Sequence, residues 1–125
     1  MTKLLQNEAE VDLNITYVFI VNQDLNMSPE KMASQVAHVA IQLGVDMSEP
    51  HLEGPNTAIV GRNIVLYAPE DYMFDLLNNH KEELGVKYVI DSGFTENTKN
   101  KLTCLGFIRT PESLEYTKNL KSKKK

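Results

Sequence analysis

Apolar residues in this chain gather in short runs, and amphipathic stretches alternate with them. Ile15 to Asn22 (ITYVFIVN) is β-branched and aromatic along nearly its whole length. Such a run predicts a strand buried on both faces of a sheet. After a loop over 23–27, Ser28-Pro29-Glu30 places a hydroxyl at a helix N-cap and a proline at the first helical position. The helix is expected to run to about Leu43, with Gly44 as its stop. Residues 45–61 carry two prolines and two glycines without a period, and read as a connecting loop. Asn63 to Ala68 predicts a second buried strand. Pro69 opens a second helix, whose Met73, Phe74, Leu76 and Leu77 share one stripe before Leu84-Gly85 ends it. Val86 to Ile90 predicts a third strand, and 91–101 a polar loop. Leu102 to Arg109 predicts a fourth strand, and Thr110-Pro111-Glu112 starts a last helix towards Leu120. The order β-α-β-α-β-β-α gives α/β layering on a mixed sheet. Periodicity leaves open whether the third and fourth strands pair.

With 125 residues, 42% hydrophobic and 24% charged, the chain has the size and composition of one globular domain. A single cysteine, Cys104, excludes an internal disulfide framework and a cysteine-based zinc site. No apolar run approaches the roughly 18 residues of a membrane helix. The first residues lack an apolar stretch of signal-peptide length, so a cytoplasmic location is expected. We read 1–14 as an N-terminal extension, 15–117 as the domain and 118–125 as a basic tail. That tail holds five lysines and no acid, while residues 1–116 hold eight basic against 17 acidic residues. An acidic body is a poor footprint for general nucleic-acid binding. The tail reads first as a solvated end, with a phosphate-contacting arm as the alternative.

Candidate chemistry starts on the first helix, where Lys31, Gln35, His38 and Gln42 fall at i, i+4, i+7 and i+11 and form one polar stripe. A solvated helix face would look the same. Lys31 is nonetheless misplaced, because a cation in the first turn opposes the helix dipole by roughly 0.3–1 kcal/mol. Free amides at a helix start together with a lysine make an anion-binding corner. His38 serves equally as a general base or as a histidine at the helix–sheet edge. His51 and His80 read as structural or solvent-facing. Asp91 ends the third strand, where ligands bind in α/β sheets, or is simply a turn aspartate beside Gly93. Thr103 and Cys104 enter the fourth strand as ordinary strand residues, Cys104 as a buried thiol.

Two segments together resemble the type 2 peptidyl-tRNA hydrolase family. Asp24 to His38 is similar to its D-L-x-M-x-x-G-K-x-A-x-Q-x-x-H segment, with Glu30 in place of the glycine. Asp91-Ser92-Gly93-Phe94-Thr95, then Thr103 and Leu105-Gly106, is similar to its D-A-G-x-T…T-x-L-G segment, with Lys99-Asn100-Lys101 replacing Pro-Gly-Ser. The likeness covers about residues 15–120. It implies a three-layer α/β/α sandwich on a four-stranded mixed sheet, and a homodimer. It implies hydrolysis of the ester joining a peptide to the 3′ end of tRNA, with no metal or other cofactor. Its functional positions map onto Lys31, His38, Asp91 and Thr103, with Gln35 nearby. Asp91 would activate or orient water, Lys31 would supply positive charge, Thr103 would hold water or carbonyl, and His38 would support the lysine or the 3′ end. In that packing Lys99 and Lys101 would stand near Lys31 and contact the substrate, with Arg109 as a further positive group near the site. A member that keeps the fold but only binds or regulates is the alternative function.

Overall fold

The computed structural model describes residues 10–47, 59–91, 98 and 100–122. Four strands form one sheet: β1 (Glu10–Asn22), β2 (Ile59–Ala68), β3 (Lys87–Ile90) and β4 (Leu102–Ile108), in the order β2-β1-β4-β3. β1 and β2 are parallel, and β4 runs antiparallel to both β1 and β3. The third and fourth strands therefore do pair, and the sheet is mixed. Helix α1 (Pro29–Met47) covers one face. On the other lie α2 (Glu70–Asn79), α3 (Lys81–Leu84) and the single turn α4 (Leu114–Thr117). The arrangement fits the expected three layers.

Alternation along β1 explains why it lies between two helical layers. Tyr17, Phe19 and Val21 point to α1 and meet Val39, Leu43 and Met27. Val18 and Ile20 point the other way and meet Met73, Leu76 and Phe107. Every residue from Thr16 to Asn22 is buried, as a continuous apolar run requires.

The helix start follows its sequence signal. Ser28 Oγ accepts the Lys31 amide at 3.0 Å, which caps the first turn. Gly44 does not stop the helix; α1 continues to Met47. The second helix breaks at His80, which leaves helical geometry at φ −132°. Asn78-Asn79-His80 are weak helix formers, and Asn79 donates to Asp75 Oδ1 at 2.7 Å. Gly85, at φ 70°, supplies the left-handed C-cap of α3. The last helix is shorter than expected, because Thr110 and Ser113 bond each other through main and side chains and turn the chain before Leu114. After α4 the Lys121 carbonyl accepts from the Tyr67 amide at 2.8 Å, which ties the first residues of the basic segment to β2. β1 and β2 begin earlier than their apolar runs, at Glu10 and Ile59.

Gly106 lets α1 settle on the sheet. A Cβ there would stand 2.8 Å from Val39 Cγ1 and 2.9 Å from the Val18 carbonyl oxygen. Gly44 is the opposite case, with nothing within 4 Å of an added Cβ. Gly106→Ala should cost about 1–3 kcal/mol by overpacking. Gly44→Ala should gain about 0.5–1 kcal/mol by removing a mid-helix glycine. Urea unfolding of both variants checks the pair; equal shifts of one sign would refute this account of the packing.

Candidate active site

At one end of the sheet β1 finishes, α1 begins, β3 finishes and β4 begins. Four chain segments thus meet where polar main-chain groups must be satisfied. Asn22, fully buried, does much of this. Its amide donates to the Leu102 carbonyl at 2.8 Å and to Glu70 Oε1 at 3.0 Å, and its Oδ1 accepts the Asp24 amide at 2.9 Å. Asp24 in turn accepts the Glu70 amide at 2.8 Å, capping α2.

Lys31 and Asp91 form a buried ion pair at this edge. Lys31 Nζ lies 3.1 Å from Asp91 Oδ1 and 3.0 Å from Oδ2, with both residues less than one tenth exposed. Gln35, one turn after Lys31, donates from Nε2 to Asp91 Oδ1 at 3.1 Å. Its Oε1 accepts the Thr103 hydroxyl at 3.1 Å. Thr98 donates its hydroxyl to Asp91 Oδ2. Five buried side chains from α1, the end of β3, the loop and β4 thereby share one network. The cation misplaced in the first turn of α1 is explained: a carboxylate from another strand compensates it.

Two backbone devices set this geometry. Thr103 sits where the β3–β4 register slips, Val89 facing Cys104 but Ile90 facing Leu102. Cys104 packs on the α1 side and Leu105 on the other. Strict alternation would therefore send Thr103 away from α1; the bulge turns it to the same side as Cys104, within reach of Gln35. The second device holds Asp91. Its amide donates to the Lys101 carbonyl at 3.0 Å and its carbonyl accepts the Asn100 amide at 2.8 Å. A tight turn from Thr98 to Lys101 closes this loop, with Asn100 at φ 63°. Asparagine is the non-glycine residue that most readily takes this left-handed position.

The structure thus gathers Lys31, Gln35, Asp91 and Thr103. His38 stands exposed on α1, and no side-chain hydrogen bond joins it to the cluster among the described residues. Lys101 contributes its carbonyl to Asp91, while its side chain is exposed. Lys99 lies outside the described residues, as do Ser92, Gly93, Phe94, Thr95 and His51. Arg109 is not near Lys31: β4 is antiparallel to β1, so Arg109 follows Ile108 at the opposite end of the sheet. Gln42 donates to the Tyr88 carbonyl at 3.0 Å, so Lys31, Gln35 and Gln42 of the polar stripe turn to the sheet, and His38 alone of the four stays exposed. Sequence reading missed Thr98 and Asn22. A threonine in a polar loop gives no signal, and only the Asx geometry at Asp24 hints at Asn22. Burial pushes the Cys104 thiol up to about 12, so next to Thr103 it stays a neutral packing group.

The Peptidyl-tRNA hydrolase PTH2 family matches residues 15–122 of the chain. A peptidyl-tRNA hydrolase from Thermococcus onnurineus (strain NA1) is 32% identical over 101 residues, which cover 78% of this chain and 86% of that one. A solved protein of unknown function from Agrobacterium tumefaciens C58 superposes with a TM-score of 0.60 at 11% identity, over 86% of this chain and 96% of that chain. That last likeness is one of fold alone.

Asp91→Asn leaves an ammonium buried beside a neutral amide. We expect it to cost about 3–5 kcal/mol in denaturant unfolding, and Lys31→Met added to it to recover a large part. A single-variant loss below about 1 kcal/mol would show that the pair behaves like an exposed surface bridge.

Proposed function

The chain belongs to the peptidyl-tRNA hydrolase PTH2 family, and we propose that it cleaves the ester between a peptide and the 3′ end of tRNA, releasing tRNA for reuse in cytoplasmic translation. The observation that carries this reading is the Lys31–Asp91 pair locked to Gln35 and Thr103 at one sheet edge. Ester hydrolysis needs a placed water, positive charge where the carbonyl oxygen becomes anionic, and a proton for the departing 3′ oxygen.

In the proposed mechanism Asp91 orients the attacking water, takes its proton and returns it to the departing 3′ oxygen, and it holds Lys31 in place. Lys31 faces the developing oxyanion or a neighbouring phosphate. Thr103 and Gln35 fix the carboxylate and position the water or carbonyl. His38, two turns further on the exposed side of α1, supports the 3′ end as it arrives from solvent. Lys99 and Lys101 lie in the loop that follows Asp91 and supply charge to the substrate. The tie between Lys121 and Tyr67 brings the basic segment to the end of β2, the same edge that carries Lys31. No helix among the described residues is long and apolar enough to cross a membrane.

The protein works as a homodimer in this reading. Ala33, Ala37, Ile41 and Val45 follow one another at four-residue spacing on α1, and Ile41 and Val45 are 65% and 66% exposed. Beside them lies an apolar groove of about 380 Å³ between α1 and β2, lined by Val36, Val65 and Tyr67 among others. Light scattering should give a mass near twice 14.1 kDa, and a monomer at assay concentration would remove the dimer from the proposal.

The reaction is tested with a labelled N-blocked aminoacyl-tRNA. Asp91→Asn and Lys31→Met should each slow release of the acyl group by about 10²-fold or more, with circular dichroism showing that the variants remain folded. Wild-type rates in folded Asp91→Asn would refute the assignment. Absence of turnover in the wild type with measurable tRNA binding would establish the binding protein instead.

A further inference from the structure

The opposite end of the sheet carries a second polar concavity, and the strand register builds it. Thr16 of β1 is paired with Arg62 of the parallel strand β2. On its other side the Arg109 amide donates to the Thr16 carbonyl at 2.8 Å. Arg62, Thr16 and Arg109 therefore stand in one row across three adjacent strands. Neighbours in such a row project to the same face, and strands lie about 4.8 Å apart, which puts the two arginine backbones roughly 10 Å from each other. Alternation identifies the face. Tyr17 points to α1, so Thr16 points away from it, as do Leu66 on β2 and Phe107 on β4. These are the only two arginines in the chain.

The row opens into a cavity of about 330 Å³ lined by Asn14, Thr16, Arg62, Arg109, Thr110, Pro111 and Leu114. Among the described residues, none that lines the cavity is acidic. The wall is rigid. Thr110 Oγ1 accepts the Ser113 amide at 3.1 Å, and Ser113 Oγ accepts the Thr110 amide at 2.9 Å. The Thr110 hydroxyl hydrogen remains to be donated elsewhere. Two arginines, two hydroxyls and one amide line this concavity, a donor set suited to the oxygens of a phosphate group.

We propose that Arg62 and Arg109, with Thr16 and Thr110 between them, form a phosphate-binding site distinct from the Lys31–Asp91 cluster. Six residue steps along β1 separate Thr16 from Asn22, about 20 Å at the rise of a strand, so one phosphate cannot touch both. The phosphate belongs either to the backbone of a bound tRNA or to a free phosphorylated compound. Only the first of these rests on the peptidyl-tRNA reading; the site itself rests on the sheet register.

Inorganic phosphate and pyrophosphate, titrated into the full chain at constant ionic strength and followed by amide and arginine Nε shifts, test the site. Saturable shifts should centre on Thr16, Arg62, Arg109 and Thr110. Arg62→Gln or Arg109→Gln should weaken binding at least about tenfold. No saturable shift at these residues, or binding indifferent to both arginine variants, overturns the site. Deacylated tRNA then separates the sources without any hydrolysis step. Weaker tRNA binding by the double variant, with a salt slope lower by about 2 on the duplex scale, assigns the phosphate to the tRNA backbone. Unchanged tRNA binding beside lost phosphate binding assigns it to a free phosphorylated compound. A failure of the hydrolase reading would show only in the acyl-release assay.

Discussion

A lysine and an aspartate out of water, 60 residues apart in sequence, dictate how the rest of this edge must be built. Desolvating two charges costs several kcal/mol each, and their attraction offsets that only when geometry and extra hydrogen bonds are in place. Each neighbouring device answers that requirement. Ser28 fixes the first turn of α1 and so aims Lys31. Gly106 lets α1 lie close enough to the sheet for the pair to form at 3.0 Å. The turn through Asn100 holds the Asp91 backbone by two hydrogen bonds. The β4 bulge swings Thr103 round to orient Gln35, whose other end grips Asp91.

The same dependence explains what could be read from sequence and what could not. A lysine against the helix dipole is a local conflict, and it marked Lys31 without any structure. Strand-end position marked Asp91, and helical spacing put Gln35 beside Lys31. These are short-range properties. Thr103 was reached only through the family likeness, because whether a strand threonine faces one helical layer or the other depends on a bulge. A bulge is a fact about two strands, and one strand's composition does not carry it. Register hid the arginine row for the same reason. Arg62 and Arg109 are 47 positions apart in the chain, and only the pairing of both strands with β1 reveals that they stand in one row. Arg109 was misplaced because the direction of β4 was unknown. The helix break at His80 and the early turn at Ser113 were missed because weak propensity and side-chain capping compete with an apolar stripe that looks continuous.

Charge is arranged sparingly along the two ends of the sheet. With 17 acidic residues, the body repels a polyanion at long range, and each place that accepts phosphate must be built locally. Lys31 alone is a weak anchor, since its charge is already opposed by Asp91. The cations with reach are those outside the pair: Lys101 beside the site and the basic segment tied back to β2 at Lys121. In the proposed function such an acidic body gains selectivity from its own repulsion, because a phosphate chain would be held only where its contacts coincide with these few positions.

The state of Asp91 sets a further condition on any chemistry at this site. A carboxylate offers about four lone-pair directions. Lys31 approaches both oxygens, Gln35 occupies Oδ1 and Thr98 occupies Oδ2. Water bound to Asp91 therefore has to take the place of one of these donors. Lys31 is the most costly to displace, because its charge would be stranded. Gln35 is braced from behind by Thr103. Thr98 belongs to the loop and returns to solvent at the least cost in buried charge. In the proposed mechanism the exchange of the Thr98 hydroxyl for water then precedes attack, and the closed carboxylate seen here is the resting form of the site. In that proposed mechanism a loop residue that carries no sequence signal would decide when the aspartate becomes available, while the ion pair beneath it stays in place.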